Sequence, residues 1–252
     1  MWLRRVIVLA ASAALSACAA GGGGVRPADR KNNEAAELQA KLGQEYLGKG
    51  EYETAQEKLK RALELDPNLQ SAHTLLGILN ERINRPEIAE QFYRKSLKLK
   101  PEDGAASNKL GACLCAQNRY DESLPLFAQA VQDPFYKTPA VAYANWGVCA
   151  RKAGQREQAE ESLRRALELE PRNGVALYEM AALSYNKEDY LRARAFIQRY
   201  EAHSPVDASL LALAVRIESK LGDERAAARY RDRLVSEYPN IELPPDLQSE
   251  TP

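Results

Sequence analysis

The chain has little of what catalytic and metal centres are built from. It carries two histidines in 252 residues, His73 and His203, far apart in sequence. No serine–histidine–acid grouping and no zinc-ligand spacing can be assembled around them, and both read as packing or surface residues. No glycine-rich phosphate loop is present. Charge of one sign is also missing: 35 basic residues balance 35 acidic ones, so no bulk attraction draws nucleic acid to the chain. After the first fifteen residues, no apolar run approaches the roughly 20 residues that span a bilayer. With 14 glycines and 13 prolines, neither residue is enriched, which sets aside low-complexity chains. What remains is 45% hydrophobic and 28% charged, the composition of a soluble folded chain. No catalytic residues, enzymatic activity, cofactor, metal or small-molecule substrate are expected.

The glycines and prolines that are present are placed with a period. Pro67 and Pro101 are 34 residues apart, and so are Pro171 and Pro205, then Pro205 and Pro239. Gly43, Gly77 and Gly111 keep the same spacing; Gly147 follows after 36 and Ala181 after a further 34. Both markers place a two-residue insertion around Asp133-Pro134-Phe135-Tyr136-Lys137-Thr138-Pro139. A 34-residue unit with an L-G pair, an alanine a dozen residues later and a closing proline suits two short helices. The small residues let the helix backbones cross closely, and the proline ends the second helix. One such unit cannot bury its apolar face alone, so neighbours must stack.

The pattern resembles the tetratricopeptide repeat. The first copy shows Leu42-Gly43, Tyr46, Ala55, Leu59, Ala62 and Pro67; the fourth shows Trp146-Gly147, Ala159, Leu163, Ala166 and Pro171. The sixth is weakest, with Arg231 where an aromatic or aliphatic residue is usual. The resemblance implies an all-α, right-handed superhelical solenoid of six repeats: 36–69, 70–103, 104–139, 140–173, 174–207 and 208–241, with a tail at 242–252. On the second helices, Ala159, Leu163, Ala166 and Leu167 should be core, and the interleaved Glu157, Glu160, Glu161, Arg164, Arg165 and Glu168 a solvated face.

In such a solenoid the first helices line a concave groove through the second, fifth, ninth and twelfth positions of each copy. The candidates for partner binding are Gln44 and Leu47; Thr74, Ile78 and Glu81; Asn108 and Ala112, with Cys115; Val148 and Arg151, with Ala144; and Tyr178 and Tyr185, with Ala182. The middle of this face is apolar with a few polar points, which suits a helix or an extended peptide. It lacks the Lys and Asn cluster of a carboxylate clamp. Cys113 and Cys149 hold one position in adjacent copies, where other copies have Glu45, Leu79, Leu183 and Ile217, so the thiols are expected as small core residues. Equivalent positions should lie about 10 Å apart, beyond the roughly 7 Å a disulfide allows. Were two of these cysteines to pair, Cys115 and Cys149 are the best placed.

The N-terminus answers a different logic. Arg4 and Arg5 precede the apolar Val6–Leu15, and Leu15-Ser16-Ala17-Cys18 follows. This is the length and charge of an export signal, and its end resembles a bacterial lipobox. That resemblance implies cleavage after Ala17 and lipidation of Cys18. Gly21–Gly24, Pro27 and the polar run Asp29–Asn33 should then form a flexible tether over 18–35. Ala19, rather than an aspartate after the cysteine, resembles the outer-membrane sorting class. Lipobox, tether and six repeats together resemble the type IV pilus biogenesis and stability lipoproteins, the pilotins of the outer-membrane secretin. Leu42-Gly43, Tyr46-Leu47, Gln132-Asp133-Pro134, Met180-Ala181 and Tyr190 carry this likeness. It implies a periplasm-facing lipoprotein of the outer membrane, with secretin subunits as protein partner and the membrane reached through Cys18. The alternative is a repeat lipoprotein serving another envelope machine, such as peptidoglycan hydrolases or outer-membrane protein assembly.

Overall fold

The computed structural model describes residues 27–242 and 244–247. The leader, the lipobox and Cys18 lie outside the described residues. Twelve α-helices follow one another: α1 (Pro27–Lys49), α2 (Tyr52–Leu65), α3 (Gln70–Arg82), α4 (Pro86–Leu99), α5 (Gly104–Ala116), α6 (Tyr120–Gln132), α7 (Pro139–Lys152), α8 (Arg156–Leu169), α9 (Gly174–Asn186), α10 (Tyr190–Glu201), α11 (Ala208–Leu221) and α12 (Glu224–Glu237). Among the described residues they form six antiparallel pairs, α1 with α2 through α11 with α12.

Local chemistry sets the pairs. At the fifteenth position of every copy the backbone enters the left-handed region: Gly50, Gly154 and Gly222 in three copies, Asn84, Asn118 and Glu188 in the others. This residue reverses the chain between the two helices, and Glu188 holds it without the freedom of glycine. Asp103, Asn173, Asp189, Asp207 and Asp223 cap the helices that follow, each side chain accepting from the backbone N–H three residues on. The second helices α2, α4 and α8 each stop two residues before Pro67, Pro101 and Pro171.

Packing closes each pair where the residues are smallest. A Cβ built on Gly77 would stand 2.3 Å from the Tyr93 ring, one on Gly111 2.9 Å from Phe127, and one on Gly147 2.5 Å from Leu163. Ala159, Leu163 and Ala166 are fully buried, Leu167 is half-buried, and the acidic and basic residues between them face water or pair with neighbours, as expected. Each odd-numbered helix touches the next odd-numbered helix as well as its own partner, and no comparable even–even contact exists among the described residues. The odd helices are therefore the inner layer, with their outer partners splayed apart, and the array curves around them.

Three features depart from expectation. The tether does not run to residue 35, because α1 already begins at Pro27. Ala36 and Ala40 are buried against the first pair, and once that turn is fixed each further residue toward the N-terminus adds one backbone hydrogen bond for one residue ordered. Cys115 and Cys149 form a disulfide, with Cα atoms 5.8 Å apart. The expected 10 Å applies to equivalent positions; these two are the twelfth of copy three and the tenth of copy four, which lean toward each other across α5 and α7. Cys113 is the small core residue it was expected to be, with burial pushing its thiol up to about 11.

The third departure is the tail. Pro245–Leu247 forms a short 3₁₀ turn that folds back on α11, and Leu247 is fully buried with Leu211, Val215 and Leu234. The unusual Arg231 donates from Nε to the Leu247 carbonyl at 2.9 Å, and Arg216 donates to Asp246 at 2.7 Å. The tail thus supplies from a distance the apolar side chain that the sixth copy lacks at Arg231, and it covers the end of the stack.

Candidate protein-docking face

The inner layer sets the candidate residues side by side. The ninth positions of copies two to five, on α3, α5, α7 and α9, are Ile78, Ala112, Val148 and Ala182, all half-buried. Tyr178 is half-buried against the core of the C-terminal copies, and burial raises its phenol above the usual range. Tyr185 packs against Tyr190 with ring centres 5.5 Å apart. Gln44 is exposed on α1, and Leu47 is half-buried against the first core cluster. These residues form a partly exposed, mostly apolar strip. The second-position residues Val141 and Val175, 39% and 50% exposed, extend it; the same periodicity marks them in the sequence.

Other candidates are already engaged within the fold. Thr74 lies 2.7 Å from the Ser96 hydroxyl, which also accepts from Gln70. Glu81 accepts from the Tyr93 hydroxyl at 2.7 Å, and burial raises its carboxyl. Arg151 grips the buried Glu179 of the next copy with two nitrogens, Nε at 2.5 Å and Nη2 at 3.2 Å. Ala144 is buried. Asn108 was expected to face a partner and is instead 4% exposed. It donates to the Tyr136 hydroxyl at 3.0 Å and accepts from Asn145 at 3.0 Å. Gly104, with no side chain, leaves room for the Ala130 carbonyl and for the Asp133 and Tyr136 Cβ atoms beside it. The insertion therefore reaches back under the inner face and closes the position that Asn108 holds in sequence. Cys115 is closed in the same way by its disulfide.

The face has the means to bind and orient a polypeptide: apolar area, two tyrosines and a polar margin. His73 is buried, with Nε2 3.0 Å from the Pro67 carbonyl oxygen, and His203 is exposed in the turn after α10. No group of three or more His, Cys, Asp or Glu that could hold a metal occurs among the described residues. No described helix is long and apolar enough to cross a membrane.

Repeat models match this chain over residues 43–84, described as TPR repeat, and over 84–137 and 140–173, described as tetratricopeptide repeat. The protein is a tetratricopeptide-repeat solenoid, a class of scaffold that mediates protein–protein interaction. Among characterised sequences it is similar to the type IV pilus assembly protein PilF of Pseudomonas aeruginosa, 29% identical over 211 residues that cover 84% of each chain. The solved structure of that organism's PilF superposes with a TM-score of 0.78, covering 84% of this chain and 95% of that one. PilW, a widely conserved type IV pilus biogenesis factor, superposes equally well at 28% identity, covering 85% of this chain and 97% of its own. The similarity to these type IV pilus proteins runs along nearly the whole array.

Proposed function

We propose that the protein is an outer-membrane lipoprotein that binds secretin subunits and promotes their localisation and multimerisation in type IV pilus biogenesis. The observation that carries this reading is the similarity to PilF and PilW along nearly the whole array rather than over a few repeats. The lipobox at Leu15–Cys18 supplies the anchor, since a diacylglycerol together with an amide-linked chain meets the two-signal requirement for stable membrane attachment. The Cys115–Cys149 bond supports export, because structural disulfides persist in oxidising compartments. The mechanism is binding energy spent on assembly. Secretin subunits dock on the inner strip and are held near the lipid surface, where tethering raises their effective concentration for one another.

The test is a strain lacking the protein, scored for secretin multimers on a denaturing gel and for surface pili; both should be lost. Cys18→Ala should leave the outer-membrane fraction, and Val141→Glu with Val175→Glu, at the more exposed positions of the strip, should reduce multimers while the protein remains folded. Normal multimers in the deletion strain would remove the secretin reading and leave an adaptor of another envelope machine.

A further inference from the structure

Between the third and fourth copies the chain carries two residues more than its period requires, and they lie in a loop that is tied down on both sides. The Asp133 carboxylate accepts from the backbone N–H of Gly104 at 2.9 Å and of Phe135 at 2.9 Å. Its carbonyl accepts from the N–H of Tyr136 at 3.2 Å. Tyr136 turns inward to Asn108, and Pro134 and Pro139 restrict the backbone at either end. Between these fixed points Phe135 faces outward. At 80% exposure it is the most exposed of the large hydrophobic side chains among the described residues. Beside the ring opens a recess of about 510 Å³, lined by Lys100, Glu102, Gln129, Gln132, Asp133 and Pro134.

A connecting loop gains nothing from holding a phenyl ring in water. A binding loop does gain: a large, rigid apolar group on an ordered backbone has met most of its ordering cost before the partner arrives. Such residues are where interface energy concentrates. The recess offers both signs of charge and two amide side chains, so what it accepts is an uncharged polar or main-chain stretch rather than an acidic or basic one.

We propose that Phe135 is a second anchor for the secretin subunit, entering an apolar pocket on that protein while the recess beside it receives a polar stretch of the same chain. The proposal rests on the secretin reading above and adds a contact on the rim of the array, away from the inner strip.

The experiment uses the full chain in its own cell. p-Benzoylphenylalanine placed at position 135 should crosslink to secretin subunits on irradiation. Phe135→Ser should weaken secretin capture on the order of thirtyfold, the least expected for an interface hot spot, read as a loss of multimer on a denaturing gel. Its melting temperature should not move, because the side chain touches so little of the fold, and Phe135→Trp should restore the multimer. Absence of a crosslink, a crosslink only to a second copy of this protein, or normal multimers with Phe135→Ser would each overturn the anchor. If the deletion strain loses multimers while Phe135→Ser keeps them, the anchor alone falls; if the deletion strain keeps them, the secretin reading falls as well.

Discussion

Reducing the Cys115–Cys149 bond should loosen the array at one place. The bond closes a segment with a sequence separation of 34. Constraining a loop of that size in the unfolded chain contributes about 4 kcal/mol to stability in the chain-entropy treatment. Were the array to melt as one unit, that would lower the midpoint by roughly 8–16 °C. A solenoid need not melt as one, since each copy contacts only its neighbours. The bond lies between α5 and α7, beside the Tyr136–Asn108–Asn145 hydrogen-bond chain that joins the same two helices. The expected result is therefore a lower transition that broadens or splits as copies one to three uncouple from copies four to six. The assay is circular dichroism melting of the wild type with and without reductant, beside a Cys115→Ala, Cys149→Ala double variant, which should match the reduced protein. Peptide mapping after alkylation in denaturant without reductant should find Cys113 modified and the other two linked. Superimposable melts with and without reductant, or alkylation of all three thiols, would refute the reasoning.

Two further outcomes follow from named contacts. Gly77→Ala should cost about 1–3 kcal/mol by overpacking, because the new Cβ meets a Tyr93 ring that is fully buried and held by Glu81. Gly48→Ala meets nothing within 4 Å and should be neutral to stabilising by up to about 1 kcal/mol; denaturant midpoints of the two variants should move in opposite directions. Glu160 is held down to about 2 from an ordinary 4.5 by Lys187 and then Arg164. A depressed carboxyl stabilises above its unfolded value and loses that contribution as pH falls through the folded one, so the junction of copies four and five should weaken between about 4.5 and 2. Glu160→Gln should flatten that part of the stability–pH curve, and an unchanged curve would show that the carboxylate is not held by its neighbours.

The helix pairs and their register were legible in the sequence because their causes are local. A small residue at the eighth position, alanines at the helix crossing, a turn residue at the fifteenth and a proline after the second helix each act within one copy. The likeness to type IV pilus proteins was legible for a similar reason, since much of it rests on short stretches such as Leu42-Gly43, Tyr46-Leu47, Gln132-Asp133-Pro134 and Met180-Ala181, each read within one copy. What the sequence left open are contacts between positions that are not equivalent. Cys115 meets Cys149 only because neighbouring inner helices are offset, so that the twelfth position of one faces the tenth of the next. Asn108 carries a groove position yet is closed by Tyr136, which arrives from the insertion and fits because Gly104 leaves space. Arg151, counted as free to bind, is paired with Glu179 one copy on. Arg231 looked like a defect of the sixth copy, and only the returning tail, with Leu247 buried above it, gives it a partner. Periodicity fixes which face of a helix is apolar; the offset between copies and the path of the chain between them decide which side chains on that face remain unpaired, and those belong to the tertiary structure.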